Sequence, residues 1–415
     1  MGPHTFDATP MRSIFVRLHR WFGIGTALFL FVSGLTGAII VWHQELDALL
    51  NPEFYYAHST APALPALELA NRVEAADPRL RVTYLPLGIV PGQTLQMRVR
   101  GQLDPATGKP YVLDFDQIAV DPGTGLIQAR REWGALSLRR LNLMPFLYEF
   151  HYTLYLPTTG NGIAIGVWLL GIVGIVWLFD SVIALVLAFP SLKAWRKSFA
   201  FRVRRGGYTL AFDLHRSGGV WVWGLLCVIA LTSVSMNLER PVVRPIVALF
   251  SNLTPDPESN PELQATQPKG AASLSRERIV ELATAAGHKM NLRAEPGATF
   301  EFASLHLYAV GYFEPGGLYA DGHLGNAWTY WDARNGREVG GTIPGQGTAG
   351  DIFLQAQFPL HSGRLFGLPG RILVSFVGVM VALLSATGLV IWFRKQKARR
   401  STAQRVKAGQ SALVQ

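Results

Sequence analysis

Five histidines, His19, His43, His151, His215 and His361, sit near the ends of four long apolar runs. Two of them open almost the same phrase, Leu18-His19-Arg20 and Leu214-His215-Arg216. A neutral imidazole offers one lone pair to a metal, and facing helices of a bundle are a common place to hold a metal or haem. The runs cover residues 21–42, 162–189, 217–238 and 372–393 and contain a single charge, Asp180. A helix of that length and polarity crosses about 30 Å of hydrocarbon. The residues therefore point to an integral membrane protein with redox cofactors.

Composition agrees with this. The 415 residues are 49% hydrophobic and 16% charged, whereas a soluble domain carries about a quarter charged residues. The net charge of +10 is not spread as a nucleic-acid footprint would be. It collects before the first run (Arg12, Arg17, Arg20), between the second and third (Lys193, Arg196, Lys197, Arg202, Arg204, Arg205, Arg216) and after the fourth (Arg394, Lys395, Lys397, Arg399, Arg400, Arg405, Lys407). Positive flanks stay in the cytoplasm, so both termini are expected inside a bacterial inner membrane and both long connections in the periplasm. The first run lacks a small-residue cleavage site and reads as an uncleaved anchor. Cys227 is the one cysteine and no Cys-x-x-Cys-His occurs, so any haem is b-type, held by axial ligands.

The chain reads as a doubled unit: His-Arg, span, outer domain, histidine, span. The expected division is a tail 1–11, first span 12–43, outer domain 44–150, interfacial segment and second span 151–190, basic loop 191–213, third span 214–238, outer domain 239–358, interfacial segment and fourth span 359–394, and tail 395–415. Each outer domain is expected to hold one helix (66–76 and 273–286, the latter capped by Ser275) and a small antiparallel sheet. Strands are expected at 94–100, 301–312 and 326–331, with Asp-to-Gly turns at 121–125 and 332–336. Pro255, Pro257, Pro261 and Pro268 mark the linker into the second domain.

His19 and His215 are expected to face each other as one ligand pair, with Arg20 and Arg216 meeting haem propionates. The competing reading is a pair of interfacial His-Arg steps that snorkel to headgroups. His151 and His361, in Phe150-His151-Tyr152 and Phe358-Pro-Leu-His361, form the other pair. Pro157 and Pro369 follow, implying a break before the main helix. His43 has no counterpart in the repeat. It is read as a replacement outer ligand, as a substrate-iron ligand with Glu45 and Asp47, or as an interfacial residue beside Trp42. Asp180 is expected to pair with an arginine such as Arg216 or to relay protons. His4, His58, His288, His306 and His323 lack ligand spacing; His306 and His323 stand among Tyr308, Tyr312, Tyr319, Trp328, Tyr330 and Trp331, aromatics that either pack or receive a ligand. Gly34, Gly37, Gly166, Gly171, Gly174 and Gly378 allow either close helix approach or a flat macrocycle.

The phrases Leu18-His-Arg-Trp-Phe-Gly23, Trp42-His-Gln-Glu-Leu-Asp47, Phe150-His151, Trp177-Leu-Phe-Asp180, Asp213-Leu-His-Arg216 and Pro359-Leu-His-Ser-Gly363 occur in this order around the four spans. In this the chain resembles the PepSY-associated transmembrane family, which includes inner-membrane siderophore-iron reductases of the ferrioxamine type. The expected fold is an α-helical membrane protein with α+β extramembrane domains: four transmembrane helices in two pseudo-symmetric halves, each with a PepSY-like periplasmic domain. The resemblance implies an oxidoreductase with one or two bis-histidine b haems that reduces a ferric siderophore. No flavin or nicotinamide domain is read in the chain, so the expected donor is external, a membrane quinol or a cytoplasmic reductase. The rival readings are a membrane-anchored PepSY binding or regulatory module without enzymatic activity and, less well matched, a siderophore or metal permease.

Overall fold

The computed structural model describes residues 10–189, 192–257, 273–319 and 321–412. His4, Pro261 and Pro268 lie outside them. The helices in chain order are α1 (Pro10–Ile40), α2 (His43–Leu50), α3 (Pro52–Tyr55), α4 (Ala66–Ala76), α5 (Leu143–Thr153), α6 (Ile165–Ala188), α7 (Gly207–Asn237), α8 (Arg244–Val247), α9 (Arg276–Lys289), α10 (Ala349–His361) and α11 (Gly367–Ala412). Four of them, α1, α6, α7 and α11, are long and apolar enough to cross a membrane. Their Leu, Val, Ile and Ala runs satisfy every backbone group within the helix, which a bilayer demands.

These four helices make one bundle. Both α1 and α7 pack chiefly against α6 and α11, so α1 and α7 face each other across a diagonal. At the α1–α11 crossing Gly34 and Gly378 meet backbone to backbone. A Cβ on either would stand 2.6 Å from the other's carbonyl oxygen. Gly171 and Gly174 likewise receive the side chains of Leu238 and Val234. For these four positions the close-approach reading holds. Two helices begin well before their apolar runs, α1 at Pro10 and α7 at Gly207. His19 and His215 thus lie two turns inside their helices and not at the ends, because the amphipathic flanks continue the helix.

The two expected small sheets are in fact one. Eight antiparallel strands run in the order β4-β3-β2-β1-β5-β6-β7-β8. They are β1 (Leu80–Pro86), β2 (Leu95–Gly101), β3 (Gln117–Val120), β4 (Ile127–Arg131), β5 (Pro296–Phe302), β6 (Leu307–Tyr312), β7 (Ala327–Asp332) and β8 (Glu338–Thr342). The halves join where Tyr84, Leu85 and Pro86 of β1 pair with Phe300, Thr299 and Ala298 of β5. Two separate sheets would each leave an open edge there, and the join removes both. Side chains lock the seam: Glu74 of α4 takes Arg81 of β1 and Arg276 of α9, and Arg81 also reaches Glu301 of β5. One continuous sheet places both inserts on the same side of the bundle.

Each half of the sheet is backed by its expected helix. Leu69 and Val73 of α4 pack on Leu80, Val82, Met97 and Ile118, and Ile279 and Ala283 of α9 pack on Tyr308, Val310, Tyr312 and Trp331. The turns at 121–125 and 332–336 are present: Asp121 accepts from the amides of Gly123 and Thr124, and Asp332 from that of Arg334. Gly125 and Gly336 supply the left-handed φ of +77° and +72°. The stretch 301–312 is not one strand but a hairpin turn with β6, broken at His306 (φ +48°).

The sheet is tied down through α2. Asp47, 3% exposed, bonds Arg131 of β4, 1% exposed, at 2.8 Å, and also takes Asn51 and Tyr55. Removing one partner of such a buried pair strands the other charge, at a cost of about 3–5 kcal/mol. Arg131→Met is therefore expected to lower the unfolding midpoint sharply in a thermal melt of detergent-solubilised protein. A midpoint unchanged from the parent would show that Asp47 does not anchor the sheet.

Candidate functional site

The histidines of the two halves meet in pairs. The rings of His19 (α1) and His215 (α7) have centroids 6.0 Å apart, at the end of the bundle away from the sheet. Those of His151 (α5) and His361 (α10) lie 6.3 Å apart, at the end beneath the sheet. His151 and His361 reach the bundle axis because short separate helices carry them. The break expected around Pro157 lies between α5 and α6, and Pro369 sits in the first turn of α11.

Every one of these rings is fixed through Nδ1. His151 Nδ1 lies 2.9 Å from Thr36 Oγ1, and that hydroxyl spends its proton on Val32 O. His361 Nδ1 lies 2.9 Å from Thr232 Oγ1, whose proton goes to Val228 O. His215 Nδ1 meets Leu384 O at 2.9 Å, and His19 Nδ1 meets both Asp180 oxygens, at 2.9 and 3.0 Å. A carbonyl, a carboxylate and a hydroxyl whose proton is already engaged can only accept, so each ring donates from Nδ1. In the neutral ring each Nε2 is then a lone pair, and none of the four has a hydrogen-bond partner among the described residues. This is the tautomer a metal-binding imidazole takes when its outer nitrogen is held by an acceptor.

The spacing matches one metal ion per pair. A metal between two imidazoles, with metal–nitrogen bonds of about 2.0 Å each, leaves ring centroids roughly 6 Å apart. Among the described residues no group of three or more His, Cys, Asp or Glu side chains could hold an ion. A two-ligand site suits a metal whose other positions a macrocycle fills, as in haem. The surroundings fit one. Arg20 and Arg216 each keep a buried Nε with no hydrogen-bond partner, as a propionate-binding residue would. An apolar crevice of about 370 Å³ between α7 and α11 is lined by Leu214, Gly218, Met380 and Leu383 among others, and none of the four histidines lines it. Gly37 gives His151 its room, since a Cβ there would stand 3.0 Å from the ring; Gly388 does the same for His215.

Asp180 does not pair with Arg216. It takes His19, while Arg216 approaches Asp213 at 3.6 Å and donates to Lys197 O. Asp213, fully buried, is held mainly by Arg202. Arg20 stacks over Trp21. His43 is not joined by Glu45 and Asp47: Glu45 bonds Arg371, and Asp47 belongs to the Arg131 anchor. His43 instead donates Nδ1 to Ile40 O and lies edge-on between Tyr148 and Tyr319, at 5.3 and 5.6 Å. Burial holds its pKa down, at about 4, so its ring is neutral with Nε2 free. Arg364 stacks on Tyr319, and Trp133 touches both Tyr148 and Arg98, which builds a cationic, aromatic layer between sheet and bundle. Of the aromatics near His306 and His323, Tyr308, Tyr312 and Trp331 are core residues.

Thr36, Thr232, Thr387 and Gly388 escaped the sequence reading. The usable signal was a Thr-Gly step inside an apolar helix, 36–37 and 387–388, each of which seats an imidazole. Replacing Gly388 by Val is expected to push His215 off its position and leave His151 and His361 in place. If each pair holds a metal or haem, selective loss at one of the two, read by absorbance of the purified protein, checks this; equal loss at both would contradict it.

A search of curated proteins gave no significant match. The family model described as the PepSY-associated TM region matches residues 16–395, and with it four apolar helices, both inserts and all five histidines. This chain is a member of the PepSY-associated transmembrane family.

Proposed function

We propose that this protein is a b-haem oxidoreductase of the bacterial inner membrane that carries electrons outward and reduces a ferric siderophore in the periplasm. The observation that carries the reading is the two facing imidazole pairs with free Nε2 atoms. Seventeen positions of α1 separate His19 from Thr36, and as many of α7 separate His215 from Thr232. At 1.5 Å per residue the pairs stand about 25 Å apart along the bundle. The equal spacing and the strand order around the β1–β5 join support a pseudo-twofold relation between the halves. The basic flanks lie on the side opposite the sheet, which supports a cytoplasmic assignment for both termini and a periplasmic one for the sheet.

His19 with His215, and His151 with His361, would hold the two haems. Bound there, haem supplies a one-electron couple that needs no proton or hydride at the iron. The threonines, Leu384 O and Asp180 hold each ring through Nδ1 and leave Nε2 available to a metal. The substrate iron takes one electron and passes from ferric to ferrous, which hard hydroxamate or catecholate oxygens hold less well. A hydroquinone donor gives two electrons and two protons, and so serves two ferric ions. His43, Tyr148, Tyr319, Arg98 and Arg364 stand between the outer pair and the sheet, where an oxygen-rich chelate would approach.

The purified protein is expected to give two haems per chain in a pyridine haemochrome assay. His215→Ala and His361→Ala should each leave one, and the double variant none. Protein expressed with ample haem that shows no haem absorbance would end this reading and favour a binding module.

A further inference from the structure

The four ring nitrogens that steady the imidazoles do not have equivalent partners. At the outer pair both Nδ1 atoms donate to neutral threonine hydroxyls, Thr36 and Thr232. At the inner pair His215 donates to the carbonyl of Leu384, also neutral. Only His19 donates to a carboxylate, Asp180, which engages it through both oxygens. Asp180 is the one charge in the apolar part of the bundle, and its side chain is 12% exposed. In α11 the corresponding contact to His215 comes from Thr387, at 3.4 Å. The two halves are thus built alike except that one has an anion where the other has a hydroxyl and a carbonyl.

From this difference we infer that Asp180 sets the direction of electron flow by making the inner centre the stronger reductant. The inference rests on the reading of the paired histidines as axial haem ligands. A carboxylate acceptor draws the Nδ1 proton toward itself and leaves more negative charge on the ring. That raises the donor strength of Nε2. A more basic ligand, with an anion beside it in a medium of low dielectric, favours the ferric over the ferrous state. The hydroxyl acceptors of Thr36 and Thr232 exert neither effect. The cations beside the inner pair, Arg20, Arg202 and Arg216, outnumber its second anion, Asp213, but they are the same in the parent and in Asp180→Asn, so the effect of Asp180 is read as a difference. Arg216 faces Asp213, Arg371 faces Glu45, and Arg364 faces Asp321. Arg20, next to His19, lies over Trp21. With haem held at both pairs, an electron at the inner centre would pass outward, the inner iron being oxidised and the outer reduced by one electron.

Spectroelectrochemical titration of the full-length holoprotein tests this without any siderophore. Two one-electron waves are expected, and His361→Ala, which removes the outer haem, identifies the inner wave as the lower. Asp180→Asn should shift the inner ferrous-to-ferric ratio at a given potential at least tenfold toward ferrous, about 59 mV for a one-electron couple. The outer wave should stay in place. Thr232→Asp is the converse variant and should lower the outer wave. An inner wave unmoved or lowered in Asp180→Asn overturns the inference. If that variant fails to retain its inner haem, Thr232→Asp decides: a lowered outer wave supports the proposal and an unmoved one overturns it. Parent protein without haem would instead refute the assignment of the histidines as ligands.

Discussion

The arrangement of the bundle depends on hydrogen bonds from imidazole Nδ1 to acceptors that have no proton to give. Such a bond does two things at once. It chooses the tautomer of the neutral ring, and it holds the ring in one orientation. Thr36 and Thr232 can play this role because a threonine inside a helix sends its own proton to the carbonyl four residues back. A buried histidine without that partner would rotate, and its lone pair would have no defined direction.

The rest of the molecule follows from bringing those rings together. The diagonal placement of α1 and α7 sets His19 opposite His215, and the short helices α5 and α10 lay His151 and His361 over the same axis. Glycines at Gly34 and Gly378 let α1 and α11 close up, which keeps the bundle narrow enough for rings on opposite helices to lie about one metal-width apart. The shared sheet fixes the halves at the other level. Its seam at β1 and β5, held by Glu74, Arg81, Arg276 and Glu301, prevents the two inserts from moving independently. The Asp47–Arg131 pair then couples sheet to bundle at the point where the first helix leaves the hydrocarbon.

Charge inside the bundle is used sparingly. A carboxylate at membrane depth is expensive unless paired, and Asp180 is placed against the one inner histidine whose counterpart uses a neutral acceptor. His43, by contrast, is neutral and surrounded by tyrosines. Its lone pair is free, in the layer where arginines and aromatics separate the outer histidine pair from the sheet. A carboxylate on one histidine and neutral acceptors on the other three make the two pairs electrostatically unlike within a nearly repeated framework.

Much of this was legible in the residues alone. Uncharged runs of spanning length, basic flanks, the repeated His-Arg phrase and the Asp-to-Gly turns are local features, and each encodes its element through hydrophobicity or backbone preference within a few residues. They sufficed for four spans, two helix-backed β inserts and the candidate histidines. Tertiary structure decided the remainder: that the two small sheets fuse into one, that Asp180 serves His19 while Arg216 serves Asp213, and that Glu45 and Asp47 turn away from His43. Edge pairing and buried ion pairs join residues far apart in the chain, and several acceptable partners compete for each charge. Composition shows that a buried carboxylate needs a partner, but only packing brings one of the candidates within hydrogen-bond reach.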